Sequence, residues 1–330
     1  MSRRLLIIAY YFPPMGMSGV QRMAKLARYL PATGWAPTVL TVEPGGYFAF
    51  DHSLLDEVQE AGIDVIRTKS LDPTQLFKKG ETVEIKQEQT RRRLSDLSQW
   101  VFVPDNKIGW LPYAVRAAKR AAQRAPFDAV LSSAPPYTAH LVGRAVSKAL
   151  GVPLITDFRD DWVGNPRHVY PTLVHRRLNE RLERSVLQHS RFSTTINTAI
   201  RDRLRRSAPG SDIRVFEQGY DPSDMLPSTA AANTRCTFTY TGVFYDAQTP
   251  DPFLKALHHA LKTKRIRPEE VSAKFVGLFT PAGRLLVQQL DLGEVVHEVG
   301  YVPHREVRAY LAEANVLWLI IGQRPGAHAI

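Results

Sequence analysis

Cysteine is almost missing from this sequence, which has only Cys236 among its 330 residues. A single cysteine excludes an intramolecular disulfide and any zinc site built from clustered cysteines. Long apolar runs are missing as well, because no stretch reaches the roughly 18 residues that a membrane-spanning helix needs. The apolar run that follows Arg3 and Arg4 ends in two prolines, without a small-residue cleavage site. It therefore predicts a strand and not a secretory signal peptide.

Acidic residues are the minority among the charged ones. Lys and Arg number 43 against 32 Asp and Glu, which gives a net charge of +11. Such an excess fits a polyanion, an anionic membrane surface or a phosphorylated substrate, and it also fits general solubility. No nucleic-acid motif accompanies the charge, and aromatic residues do not interleave with basic ones as in an RNA-binding sheet. We therefore predict no nucleic-acid partner.

The first junction of the chain combines a strand, a loop and a helix. The apolar residues 5–10 predict a buried strand, Gly16 and Gly19 bracket the loop, and Ser18 with Gln21 has the spacing of a capping box. A strand, a glycine loop and a helix N-terminus together form a backbone anion site. The alternative is a tight strand-to-helix turn, since two glycines three residues apart fall short of the full dinucleotide fingerprint.

The rest of the chain alternates predicted strands with predicted helices, which is typical of a parallel sheet covered on both faces. A chain of 330 residues favours two domains. Residues 219–234 are rich in Gly, Pro, Ser and Ala and predict a linker between a first domain, 1–218, and a second, 235–330. The chain ends soon after an apolar strand predicted at 317–321, which a helix would normally cover. We therefore expect the second domain to be partial.

Ligands of open α/β sheets bind beyond the carboxyl ends of the strands. Glycines and polar residues follow the predicted strands at several such positions. They are Gly16, Gly19, Ser133, Asp157, Arg159 and Asp160 in the first domain, and Gly242, Gly277 and Gly300 in the second. Two sheets that face each other would bring these residues to one cleft.

The densest ionic group is Asp157, Arg159, Asp160 and Asp161. Carboxylates at a strand end bind a metal, act as a base or orient substrate hydroxyls. The alternative is an ion pair of Arg159 with a neighbouring carboxylate. We favour a functional role, with Asp160 contacting a sugar or leaving group and Arg159 orienting it. His140 is expected to be a packed or capping residue.

Five blocks of sequence, taken in order and spacing, point to a known family. They are residues 10–14 with Gly16 and 19–22, Pro104 and Asp105 with Gly109 and Trp110, residues 132–137, residues 157–160 with Trp162, and residues 240–242 with Phe244 and Tyr245. In these blocks, which extend over nearly the whole chain, the sequence resembles family-4 glycosyltransferases of the GT-B fold, the type found in bacterial surface-polysaccharide clusters.

The resemblance implies an α/β fold with two Rossmann-like domains whose parallel sheets face a cleft. It implies a glycosyltransferase of the hexosyltransferase type, which moves a sugar from a nucleotide-sugar donor to a glycan or lipid-linked acceptor. It also implies retention of anomeric configuration, a role in cell-surface polysaccharide synthesis, and no metal or other cofactor. Departure of a nucleotide diphosphate requires stabilisation of the developing negative charge, which backbone N–H groups at Gly242 and at the first helix are placed to supply in part.

The predicted site residues fall into three groups. Catalysis is assigned to Asp160, Arg159 and Asp157. Donor binding is assigned to Gly242, Phe244, Gly277, Gly300 and Val302. The acceptor or phosphate loop is assigned to Gly16, Gly19, Arg22, Ser133 and Tyr137.

The sequence departs from the family pattern at two places. Many relatives carry an Arg and a Lys after the Gly242 turn to clamp the diphosphate, whereas residues 243–248 contain neither. Lys274, Arg284 and Arg305 are the candidates to replace them. The family's glutamate pair, spaced E-x7-E and expected just after residue 330, is absent, as is the closing C-terminal helix. We therefore expect the sequence to be truncated and the activity of this form to depend on the missing segment.

Two other functions stay open at this point. Glu43, at the end of the second predicted strand, is placed to bind a ribose hydroxyl and would suit a nicotinamide-dependent oxidoreductase, although the first turn lacks the G-x-G-x-x-G pattern. A truncated sugar- or lipid-binding protein without catalytic activity fits the missing C-terminal elements.

Basic residues between Lys78 and Arg93, followed by Trp100 and Phe102, predict weak binding to an anionic membrane surface. The alternative interpretation is a solvated helix face. The expected location is cytoplasmic, with peripheral association at the inner face of the plasma membrane.

Overall fold

The computed structural model describes residues 2–45, 49–72, 98–166, 168–244 and 248–320. The chain divides into a first unit, residues 1–219, and a second unit, residues 220–328. The basic stretch between Lys78 and Arg93 lies outside the described residues. Within the described ranges, no helix has the length and apolar character required to cross a membrane.

The first unit is built on a parallel sheet, whose described strands number seven. They are β1 (Arg3–Ala9), β2 (Trp35–Val42), β3 (Asp64–Thr68), β4 (Ala129–Ala134), β5 (Leu154–Phe158), β6 (Phe192–Thr195) and β7 (Ile213–Val215). Their order is β3-β2-β1-β4-β5-β6-β7. The order reverses direction between β1 and β4, and such a switch point is where open α/β sheets bind ligands.

Helices cover both faces of this sheet. They are α1 (Ser18–Tyr29), α2 (His52–Glu60), α3 (Leu111–Arg124), α4 (Thr138–Leu150), α5 (Leu173–His189) and α6 (Thr198–Ser207). Alternate residues of β1 face opposite sides. Leu6 and Ile8 pack in one core with residues of α3 and α4, whereas Leu5 and Ile7 pack in another with Met23 of α1. Burial on both sides explains why this strand is apolar from Leu5 to Ala9.

The second unit has a smaller parallel sheet, in the order β10-β9-β8-β11 among the described residues. Its elements are β8 (Cys236–Val243), α7 (Asp251–Lys262), β9 (Val271–Leu278), α8 (Pro281–Gln289), β10 (Val296–Gly300), α9 (His304–Glu313) and β11 (Val316–Leu317). The segment before β8 is bonded to this unit, since the backbone N–H of Thr229 donates to the carbonyl of Ala312 at 2.9 Å.

The two parallel sheets, each covered by helices, confirm the predicted α/β fold.

Some local predictions were wrong or incomplete. The predicted capping box at Ser18 is absent, because α1 begins at Ser18 itself and its N-cap, Met17, has a φ of 80° and no side-chain cap. The helices α2, α6 and α8 were missed, although each has a capping side chain that bonds the first turn. The caps are Asp51, Asn197 and Thr280.

Candidate active site

Asp157 of β5 joins several elements at the carboxyl edge of the first sheet. It is 2% exposed. Its carboxylate accepts hydrogen bonds from Arg22 at 3.0 and 3.1 Å, from Ser133 Oγ at 3.0 Å and from Thr194 Oγ1 at 2.8 Å. The donors lie on α1, β4 and β6. A buried carboxylate needs such partners, and this arrangement favours a structural role for Asp157 and Ser133 over contact with substrate.

Arg22 directs its remaining N–H groups to the segment after β7. They donate to the carbonyls of Phe216 at 2.9 Å and Glu217 at 3.0 Å, and to Gln218 Oε1 at 3.2 Å. The guanidinium carbon also lies 4.9 Å from the centre of the Phe216 ring. An arginine has five N–H groups, and all of those on Arg22 have partners. This geometry disfavours the predicted contact of Arg22 with a ligand anion.

Arg159 fastens the start of α1 to the loop after β4. Its guanidinium donates to the carbonyls of Gly19, Ala134 and Pro135, the last at 2.8 Å. Burial lowers the pKa of Arg159, and the charge of Asp157 opposes that shift. A Cβ on Gly19 would lie 3.3 Å from the Arg159 guanidinium, so glycine permits this close approach. The structure thus brings Gly19 and Arg159 together.

Asp160 differs from the two carboxylates beside it. Asp157 and Asp161 are 2% and 3% exposed, whereas Asp160 is only partly buried. Burial is the main cause that raises the pKa of Tyr137, and the negative charge of Asp160 is the second. Because it is accessible at the carboxyl edge, Asp160 is the carboxylate of this group that is best placed to meet a substrate.

Asp161 belongs to a buried ion network under the loop that follows β5. Arg203 of α6 pairs with Asp161 and with Glu183 of α5. Glu183 is fully buried and accepts the backbone N–H of Val163 at 3.1 Å. Burial raises the pKa of Asp161, and Arg203 opposes that shift. The network holds the loop that carries Asp160.

Tyr137 lies beneath the same loop and is 4% exposed. Its ring stacks on Trp162, with centroids 4.8 Å apart and planes 8° apart, and its hydroxyl donates to the carbonyl of Asp161. His168 stacks on the ring at 5.7 Å. Tyr137 therefore supports the loop, and its burial disfavours the predicted contact with an acceptor.

Gly16 is also buried, and its N–H donates to the carbonyl of Ala49 at 2.9 Å.

Three residues near this edge were not predicted as site residues: Thr194, Arg203 and Asp105. Thr194 bonds Asp157, and Arg203 completes the ion network. Asp105 accepts the Thr138 N–H at 3.0 Å and so caps α4; its position in a family block was a usable signal. His140 is fully buried, as expected, with Nδ1 2.9 Å from Ser132 Oγ. Burial lowers the pKa of His140 to about 3.

The carboxyl edge of the second sheet is lined by glycines. Gly242, Gly277 and Gly300 lie at the ends of β8, β9 and β10, with φ angles of 142°, 126° and 85°. These values favour glycine, because other residues are strained there. A Cβ on Gly277 would lie 2.0 Å from the carbonyl oxygen of Gly242. None of these three positions carries a side chain, so the backbone at each end of β8, β9 and β10 has no Cβ beside it.

The other predicted donor residues differ in accessibility. Phe244 is 7% exposed and stacks on Tyr240 at 4.4 Å, so its ring belongs to the core. Val302 is partly exposed, just before α9. Among the candidate clamps, Lys274 pairs with Glu313 at 2.6 Å and Arg284 pairs with Glu298.

Arg305 is the remaining candidate clamp. It is exposed in the first turn of α9, and no counter-ion for it occurs in the ranges that the structure describes.

Residues 18–219 match the family model of the glycosyl transferase 4-like domain. A search of curated proteins gave no match. Sucrose-phosphate synthase from Thermosynechococcus elongatus is similar in structure, with a TM-score of 0.64 and 16% identity over 96% of this chain and 74% of that one.

Two further solved structures are similar. Anabaena HepE in complex with UDP has a TM-score of 0.58 and 13% identity, over 98% of this chain and 75% of that one. TarM has a TM-score of 0.60 and 7% identity, over 96% of this chain and 80% of that one. These likenesses establish the GT-B fold, and the family match extends over more than half of the sequence. The chain therefore belongs to the glycosyl transferase 4-like family.

Proposed function

We propose that this protein transfers a sugar from a nucleotide-sugar donor to a glycan or lipid-linked acceptor, with retention of configuration and without a metal ion. The observation that carries the proposal is the row of glycines at Gly242, Gly277 and Gly300. Their φ angles are all positive and they lie on adjacent strands. Family membership supports sugar transfer, and the details of donor and acceptor are our inference.

The second unit supplies the donor site in this proposal. In this proposal the diphosphate approaches the backbone at the three glycines, where no side chain of those residues interferes. The N-terminus of α9 adds favourable partial charge, since its N-cap Pro303 provides no side-chain cap. Arg305, in the first turn, takes the place of the basic pair that follows the glycine turn in many relatives. Because HepE was crystallised with UDP, UDP is the first nucleotide to test.

The first unit supplies the acceptor side. Asp160 contacts the acceptor hydroxyl or the sugar, and Arg159 orients the loop through its bonds to the Gly19 and Pro135 carbonyls. The buried partners of Asp157 and Asp161 fix the neighbouring backbone. Positioning of reacting groups in this way accounts for a large share of enzymatic rate enhancement.

A role at the inner face of the plasma membrane, in surface-polysaccharide synthesis, is part of the proposal. Large apolar side chains are exposed at the start of α5 and in a nearby turn: Trp100 61%, Val101 74%, Leu173 71% and Val174 64%. The His175 ring lies 6.3 Å from that of Trp100 and so links the two segments. Arg177 and Arg181 are exposed on the same helix. Tryptophan, apolar and basic side chains in one surface are typical of binding to anionic lipid.

Donor binding is tested by calorimetric titration with UDP, GDP and the common UDP- and GDP-sugars. We expect one nucleotide class to bind, and Arg305→Ala to weaken that binding while Arg267→Ala leaves it unchanged. Arg267 is also exposed in the second unit, but it is paired with Glu270. Absence of binding to the whole panel, by a protein whose second unit is folded, would contradict the proposed donor site.

Membrane association is tested by co-sedimentation with phosphatidylcholine vesicles, with and without phosphatidylglycerol. We expect binding to the anionic vesicles alone, weakened by salt and reduced several-fold by W100S/L173S. The matched control is Leu285→Ser, which alters an exposed leucine of the second unit. Equal binding to neutral and anionic vesicles would contradict this part of the proposal.

A further inference from the structure

A basic groove on the first unit has no part in the site described above. Its volume is about 490 Å³, and it lies between β3, at the edge of the sheet, and α3. Cavities of this size accept small-molecule ligands. Its charged lining consists of Glu43, Arg67, Lys69, Arg116, Arg120 and Arg124. Five cations against one carboxylate make the groove a place of positive potential.

Three of these cations form a stripe along α3. Arg116, Arg120 and Arg124 follow one another at intervals of four residues, so they lie on one side of the helix about one turn apart. All three are exposed, and the part of the chain that the structure describes provides them with no counter-ion. Like charges at this spacing destabilise a helix. A bound anion would remove that repulsion.

The strand side of the groove adds further positive charge. Lys69, just after β3, is exposed and likewise has no counter-ion within the described ranges. Arg67 is fixed in place, because it donates to the carbonyls of Val42 at 3.4 Å and Pro13 at 2.5 Å. The cations therefore border the groove from both the strand and the helix.

We propose that this groove binds a phosphate-bearing ligand, with Arg116, Arg120 and Arg124 as its main contacts. Planar guanidinium groups match phosphate oxygens in bidentate geometry. The stripe extends about 12 Å along the helix, at 1.5 Å per residue, so a diphosphate or two neighbouring phosphates contact more than one arginine. Free diphosphates and phospholipid headgroups share this chemistry. The proposal does not depend on sugar transfer.

The test compares the parent with R116Q/R120Q/R124Q. The control K148Q/R191Q/R206Q removes the same charge from three exposed positions elsewhere on the first unit. Binding of inorganic pyrophosphate is measured by calorimetry on the parent, the control and the α3 variant, all of which keep any nucleotide site elsewhere, so that such a site contributes equally to the three proteins. We expect parent and control to bind at least about tenfold more tightly than the α3 variant, a difference of about 1.4 kcal/mol. Added salt should weaken the binding.

A second arm uses phosphatidylcholine vesicles with and without phosphatidic acid, and all proteins in it carry W100S/L173S, which weakens vesicle binding through the exposed apolar surface. Loss of vesicle binding in the α3 variant alone, without any pyrophosphate binding, identifies a lipid headgroup as the source of the phosphate. Without ligand and at low salt, the α3 variant should melt no lower than the parent, since its repulsion is gone. Equal binding of parent and α3 variant, or no binding to either probe, would overturn the proposal.

Discussion

The carboxyl edges of the two sheets are built in opposite ways. In the first unit, side chains fill the edge: the Asp157 carboxylate has four hydrogen-bond donors, and Arg159 bonds three carbonyls. In the second unit, glycines with positive φ occupy the edge at positions 242, 277 and 300. Motif residues of the first unit thus hold its loops in position through their side chains, whereas the glycines of the second are defined by backbone conformation.

This contrast separates two reasons for which a motif residue is needed. A buried ion pair such as Arg22 with Asp157 is costly to break, because one partner left alone is an uncompensated charge. A glycine with positive φ is costly to replace for a steric reason. Loss of one ion-pair partner leaves an unpaired charge at the edge of the first sheet. Replacement of a glycine places a side chain at the edge of the second sheet.

The largest expected effect is that of Arg22→Ala. Because the substitution leaves Asp157 buried without its cation, we expect unfolding of the first unit to become easier by about 3 to 5 kcal/mol. Thermal and urea denaturation measure it. The control is Arg28→Ala on the same helix, whose pair with Glu57 is partly exposed and should cost below about 1 kcal/mol. If R22M/D157N were no more stable than R22A, the unpaired charge would not be the cause.

Gly277→Ala should follow, and it acts on the second unit. The new Cβ would meet the Gly242 carbonyl at 2.0 Å in backbone of positive φ, which costs roughly 2 to 4 kcal/mol through overpacking and strain. We expect loss of nucleotide binding together with a lower melting temperature. Gly293→Ala is the control, since nothing lies within 4 Å of its Cβ position. Unchanged nucleotide affinity in G277A would contradict the role assigned to this edge.

Asp160→Asn tests whether a carboxylate at the carboxyl edge of the first unit's sheet takes part in catalysis. Because Asp160 is partly exposed and Asp161 is buried in an ion pair, the two should respond differently to the same change. We expect D160N to lower turnover on the order of 100-fold with little change in melting temperature. D161N should instead lower the melting temperature. Steady-state kinetics with the donor found by calorimetry measure the first effect, and a fully active D160N would end its catalytic assignment.

The smallest expected effect is a pH dependence of the first unit. Burial lowers the pKa of His140 to about 3. In the unfolded chain this histidine is protonated below about pH 6.5, whereas in the folded chain it stays neutral. Stability is therefore lost as pH falls below about 6.5, by about 2 kcal/mol at pH 5. The raised pKa of Asp161 acts in the opposite direction. Denaturation between pH 7 and 5 measures the slope.

Substitution H140Q should flatten that slope. If the variant does not fold, the imidazole resonances of His140 in the parent give the same information, because they should not shift between pH 7 and 5. A normal titration of this imidazole in the folded protein would show that burial does not hold it neutral.

Much of the fold could be predicted because local patterns and global structure agree. The strand predicted at residues 5–10 is found as β1, Arg3–Ala9. The glycines at 242, 277 and 300 lie at strand ends, where the alternation of elements placed them. The missed helices α2, α6 and α8 are short and carry their signal mainly in the caps Asp51, Asn197 and Thr280. Ser18 misled the prediction, since the backbone turn at Met17 put it inside the helix.

The candidate site was predicted only in its location. The sequence placed Asp157, Arg159 and Asp160 at one strand end but did not show which of them is accessible. That depends on Arg22, Ser133 and Thr194, which lie 135, 24 and 37 residues from Asp157. Pairing over such separations is set by the register of neighbouring strands and not by local propensity.

The sequence alone determined the α/β class and the family resemblance. Hydrophobic periodicity and glycine positions are local properties, and they determine directly which segments form strands, helices and turns. Only the tertiary structure decided the roles of the charged residues. Arg22 was predicted to meet an anion and is instead enclosed by Asp157 and three acceptors at residues 216–218. Arg116, Arg120 and Arg124 line a groove only because α3 packs beside β3. Burial and partners determine what a charge does, and both arise from contacts between residues distant in sequence.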